Sequence, residues 1–130
     1  MDEVAREGLV VDARGIRPPP GYEVRRGDAP PGVMLLVLEG ELDMAATAAV
    51  RGAVDGGGAD VVADLAGVSF MDSSILRELL RADADLRAAG HALVLAAPRR
   101  PVVRLLELTG ATARLAVAAS ATEAFTRVRS

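Results

Sequence analysis

Val62-Ala63-Asp64-Leu65-Ala66-Gly67-Val68-Ser69-Phe70-Met71-Asp72-Ser73-Ser74-Ile75-Leu76 is the stretch that decides the fold. An apolar strand runs into a short turn, then into Asp-Ser-Ser, then into an amphipathic helix. Ile75, Leu76, Leu79, Ala82 and Leu86 recur at helical spacing on one face; Arg77, Glu78, Arg81 and Asp85 fall on the other. Asp83 projects inside the apolar arc and is expected at its rim, because burying an unpaired carboxylate is costly. The pattern sets hydroxyls at a helix N-terminus, where free N–H groups and the helix dipole favour added negative charge. Asp and Ser are also preferred N-caps, so the triplet taken alone reads first as a cap.

Working outward, the stretch sits in an alternation of strands and helices. Tyr22 to Arg26 is a short strand, 27–32 a turn, and Val33 to Glu39 a near-continuous apolar run expected to be covered on both faces. A helix is expected from Ala45 to Val54, ended by Gly56-Gly57-Gly58, and the next strand from Val61 to Leu65. The helix from Ser74 to Ala88 stops at Gly90 as its C′ residue. A strand from His91 to Ala96, a helix from Pro101 to Leu108, a strand from Leu115 to Ala118 and a helix opened by the capping box Ser120-Ala121-Thr122-Glu123 complete the order. The expected fold is therefore α/β, a single domain with a mostly parallel sheet of about five strands wound with about four helices, the first strand at an edge. Pro18-Pro19-Pro20-Gly21 separates a flexible N-terminal tail, residues 1–20, from a domain over 21–130.

Composition narrows the chemistry. The chain has 130 residues, a formal charge of -3 and no cysteine, which argues against a nucleic-acid footprint, a disulfide framework and thiolate catalysis. All fifteen basic residues are arginine. With only Tyr22, Phe70 and Phe125 aromatic, the core must be aliphatic. The first residues are acidic and mixed, with no apolar h-region behind them, and the longest apolar runs fall well short of the ~20 residues of a membrane span. A soluble cytoplasmic domain without a membrane span is expected.

Gly40-Glu41-Leu42-Asp43 after an apolar strand, the stretch from Asp64 to Ser74, and Leu105-Leu106-Glu107-Leu108-Thr109-Gly110 resemble the STAS domain in residue type, order and spacing. The name stands for sulfate transporter and anti-sigma factor antagonist, and the resemblance covers residues 22–128. It is closest to the bacterial anti-sigma factor antagonist type. In those proteins the serine directly after the aspartate is phosphorylated, which by the match is Ser73. The resemblance implies partner switching: the unmodified domain sequesters a serine-kinase anti-sigma factor, phosphorylation releases it, and a phosphatase resets the switch. ATP and magnesium belong to the kinase, so no cofactor, metal ligand or catalytic residue of this chain is expected. Asp43, Asp72, Ser74 and Ile75 are expected at the partner surface. The family has Gly where this chain has Ile75, whose β-branched side chain either packs under the helix or crowds the approach to Ser73.

Other readings are weighed on the residues. A STAS subunit that is never phosphorylated, part of a stress-signalling or lipid-transport assembly, fits the same motifs. A hydrolase using Ser73 or Ser74 with the lone His91 lacks a Gly-x-Ser-x-Gly elbow. Asp64 as a receiver-type phosphoacceptor lacks the lysine of that chemistry. Gly56-Gly57-Gly58 lacks the Lys-Ser/Thr of a P-loop. No cluster of ligands suggests a metal.

Overall fold

The two apolar runs without helical spacing, 33–38 and 61–65, become the centre of the sheet. The computed structural model of the protein describes residues 10–12, 15–17, 21–55 and 58–128. In chain order, β1 (Val10–Asp12) and β2 (Gly15–Arg17) are followed by β3 (Tyr22–Gly27), β4 (Val33–Leu42), a 3-10 turn (Met44–Ala46), α1 (Thr47–Val54) and β5 (Asp60–Met71). Then come α2 (Ser73–Ala88), β6 (Leu93–Ala96), α3 (Arg100–Thr109), a second 3-10 turn (Ala111–Ala113), β7 (Ala116–Ala118) and α4 (Ala121–Val128). The five-stranded sheet has the order β3-β4-β5-β6-β7. β3 is antiparallel to β4 at one edge, and every later pair is parallel. This is the expected α/β architecture, with the first strand of the sheet at its edge.

Each crossover moves one strand further in the same direction, so one handedness puts α1, α2 and α3 on one face. There Val50, Val54, Ile75, Leu76, Leu79, Leu86, Val102 and Leu106 pack on Leu36, Leu38, Ala63, Leu65 and Leu95. α4 covers the other face, with Ala124 and Phe125 against Val62, Val94 and Ala118. Among the described residues no helix is long and apolar enough to cross a membrane.

Several local expectations change. The segment expected as a tail contains an antiparallel pair, Val10–Asp12 with Gly15–Arg17, in a sheet of its own. The remainder of that segment, and Gly56-Gly57, lie outside the described residues. The helix expected from Ala45 opens as a 3-10 turn and becomes α-helical at Thr47. β6 begins at Leu93 rather than His91, because the His91 N–H closes the end of α2 by donating to the Leu86 carbonyl (2.8 Å), while Gly90, at φ 84, donates to Arg87 (3.0 Å). That pair of bonds is the Schellman arrangement. In α4 the Glu123 N–H donates to the Ser120 hydroxyl at 3.1 Å, as a capping box requires, but the Glu123 carboxylate reaches back to the Ala119 N–H.

The largest difference bears on the site. No turn separates the strand from Asp72: β5 runs twelve residues to Met71. β6 pairs with it only as far as Asp64, so the rest of β5 is carried by β4 alone. Two register shifts, between Val37 and Glu39 and between Gly40 and Glu41, occur in that overhang. They break the period-two pattern, which is why 66–71 reads as a turn. Asp64 is consequently mid-strand, its carboxylate accepting the Ala66 N–H at 3.0 Å. Gly40 lies at one shift with φ +88, and a Cβ there would stand 2.2 Å from the Gly21 carbonyl oxygen. Gly40→Ala is expected to lower stability by roughly 1–3 kcal/mol through strain and backbone displacement, read as the urea midpoint at constant m-value.

Candidate functional site

β4 and β5 end side by side, with Leu42 paired to Met71. An aspartate follows each strand, and each caps the helical turn behind it. The Asp43 carboxylate accepts the Ala45 N–H at 3.0 Å. The Asp72 carboxylate accepts the N–H groups of Ser74 (3.0 Å) and Ile75 (3.3 Å) and the Ser74 hydroxyl (2.5 Å). The Met44 N–H adds to this set from the neighbouring turn. The Asp72 N–H itself donates to the Leu42 carbonyl at 3.1 Å, and the Tyr22 hydroxyl reaches the Ala45 carbonyl at 3.3 Å. Three strands and two helical starts are thereby joined at one end of the sheet. Burial pushes the Asp72 carboxyl up, but the bonds from the Ser74 hydroxyl and from the Ile75, Ser74 and Met44 N–H groups outweigh it and hold it below its usual value.

The two serines differ. The Ser74 hydroxyl is consumed by Asp72 and half-buried, whereas Ser73, the first residue of α2, is exposed and takes no hydrogen-bond partner among the described residues. Asp43 is exposed and Asp72 half-buried beside it. Ile75 is 0% exposed and belongs to the core beneath α2. Of the two roles open to it, the structure gives the packing one, and its side chain is withdrawn from any partner surface. Two residues not singled out in the sequence join the site: Met44 is 73% exposed and Phe70 47%. They flank the aspartates on the two strand ends, and large apolar side chains left this open commonly mark contact surfaces. The available signal was Phe70, one of three aromatic residues, two positions before Asp72.

Behind the site, α1 is fastened to α2. Glu78, expected on the polar face, is buried: its side chain is 7% exposed and it takes Arg51 of α1 at 2.5 Å and Arg81 at 3.1 Å. The bond from Arg51 lowers the Glu78 carboxyl against the opposing effect of burial, with Arg81 assisting, and the same contact raises Arg51. Asp83 is likewise buried rather than at a rim, paired to Arg87 at 3.0 Å. Arg81 also pairs with Asp85, four residues on, at 3.0 Å. His91 stands before β6, at the opposite end of the sheet from Ser73, with its Nδ1 3.7 Å from an Asp60 oxygen. Ser73, Ser74 and His91 therefore do not assemble into a nucleophile and base.

Residues 28–124 match the model of the STAS domain, and the chain belongs to that family. The fold is shared with solved anti-sigma factor antagonists. One from Mycobacterium paratuberculosis is 25% identical, with a TM-score of 0.73 over 84% of this chain and 95% of that one. The antagonist SpoIIAA in its unphosphorylated form is 25% identical, with a TM-score of 0.70 over 82% of this chain and 96% of that one. The Bacillus cell fate determinant SpoIIAA in its phosphorylated form is 24% identical, with a TM-score of 0.66 over 82% of this chain and 100% of that one. No curated protein sequence matches the chain.

Two outcomes follow from this geometry. Ile75→Gly is expected to lower stability by about 2–5 kcal/mol, from the emptied core and the added backbone entropy, as read by urea unfolding. Asp72 and Glu78 have depressed carboxyl pKa values in the fold. Their contribution is thus complete above the unfolded carboxylate range and is lost as pH falls through the lower folded values. The urea midpoint should decline between about pH 5 and about pH 2, and Asp72→Asn combined with Glu78→Gln should make that decline shallower.

Proposed function

We propose that the chain is an anti-sigma factor antagonist, a protein-binding module rather than an enzyme, switched by phosphorylation of Ser73. One observation carries the reading: Ser73 presents an exposed, unpartnered hydroxyl at the start of α2, while Ser74 beside it is held by Asp72. Family membership and the antagonist neighbours support the role. The unmodified domain would dock a serine-kinase anti-sigma factor on Asp43, Met44, Phe70 and the start of α2. The kinase, holding ATP and magnesium, transfers the γ-phosphoryl group to the Ser73 oxygen; the hydroxyl proton passes to a base of the kinase and ADP leaves. A phosphatase returns the serine by hydrolysis.

The phosphate adds about −1.5 to −2 charge. The dipole of α2 favours it by roughly 0.3–1 kcal/mol, and the Asp72 carboxylate opposes it by a similar amount. The fold therefore changes little, while a packed apolar contact around Met44 and Phe70 must now desolvate a dianion. The test is incubation of the chain with candidate serine-kinase anti-sigma factors and ATP, followed by intact mass and site mapping. One phosphate on Ser73, loss of partner binding and a nearly constant melting temperature are expected. Ser73→Ala should escape modification and still bind, and Asp43→Ala should weaken binding while the domain stays folded. Phosphate on Ser74 would overturn the assignment of the site. Absence of modification by a kinase that binds the chain would instead favour the STAS subunit that is never phosphorylated.

A further inference from the structure

On α2 most arginines are already committed. Arg81 holds Glu78 and Asp85, Arg87 holds Asp83, and Arg51 reaches across from α1 to Glu78. Arg77 differs: it is exposed and has no ion pair or hydrogen bond among the described residues. Residues three and four positions away are the only ones a helical side chain meets on its own helix. For Arg77 these are Ser73, Ser74, Leu80 and Arg81. None is a carboxylate, and Glu78, the next residue, is turned into the contact with Arg51. Helical side chains also lean toward the N-terminus, so Arg77 lies over the turn that begins at Ser73, at the ~5–6 Å Cβ spacing of such pairs. Leu80 offers no polar group, and Arg81 is like-charged. Ser74 gives its hydroxyl to Asp72. The unoccupied position within reach of Arg77 is the Ser73 oxygen.

We infer that Arg77 is the cationic partner of a phosphate on Ser73, held in an ion pair along one turn of α2. The inference rests on the reading in which Ser73 is the modified residue. In the unmodified chain Arg77 is an exposed guanidinium one turn along α2 from Ser73, without an ion pair among the described residues. Once the phosphate is present the same guanidinium is engaged within the helix. Modification then alters two charges on the surface, adding an anion and withdrawing a cation from any acidic group of the partner. A planar fork of donors also suits a phosphate better than a lysine ammonium would.

The experiment installs phosphoserine at position 73 of the full chain during translation, so no kinase is needed. The second ionisation of the phosphate is followed by phosphorus NMR. Arg77 should favour the dianion and lower that pKa by roughly 0.3–0.7 of a pH unit relative to Arg77→Gln, the size of an exposed ion pair. Arg77→Lys should recover part of the difference, and about 1 M salt should remove most of it. Arg77 is exposed, so the variants should fold, which amide spectra of each sample establish. Equal phosphate pKa values in the parent chain and Arg77→Gln would overturn the inference, whatever kinases do. A kinase that fails to modify Ser73 would count against the switch while leaving this titration decisive for Arg77.

Discussion

Asp72 takes hydrogen bonds from the first turn of its own helix and from Met44, which lies on a different strand's exit, while its N–H extends the ladder to Leu42. That one carboxylate turns the end of β5 into the start of α2 and fixes the neighbouring turn at the same time. Its charge costs little, because four donors from two segments surround it. The exposure of Ser73 follows from this arrangement. With the capping work done by Asp72 and the hydrogen bond taken by Ser74, nothing in the fold calls on the Ser73 hydroxyl.

Rigidity behind the site comes from a second carboxylate. Glu78 is buried between α1 and α2 and clamped by Arg51 and Arg81. α1 begins just after the turn that carries Asp43 and Met44; α2 begins at Ser73. Fixing one helix to the other fixes the two halves of the surface relative to each other. A packed apolar pair would hold the helices together as well, but a bidentate arginine sets their register too.

The topology was legible in the sequence because its signals were local. Apolar runs alternated with amphipathic helices, and Gly90, Pro101, Gly110 and Ser120 marked helix ends by their own chemistry. The place of Ser73 at the start of α2 was legible for the same reason, through the cap before it. What could not be read depended on distant pairing. β5 looked short because shifts against β4 disturb its alternation. Glu78 looked solvated because its partner Arg51 lies 27 residues away. Asp83 looked too costly to bury, although Arg87 four residues on offered the acid-first order that neutralises it. The exposure of Met44 and Phe70 arises only where two strands finish together.

Among the described residues the sheet ends at β3 and at β7, and neither edge invites another strand. β7 is only three residues long. β3 turns Glu23, Arg25 and Arg26 outward, with Arg25 tied to Glu23 and Glu39. Any chain adding itself alongside would have to disrupt or desolvate those charges, a common safeguard against aggregation. Both edges thus discourage lateral stacking. The edges of the sheet are its guarded part, while the large apolar side chains left open lie elsewhere, Met44 and Phe70 where the central strands finish and Leu108 on α3.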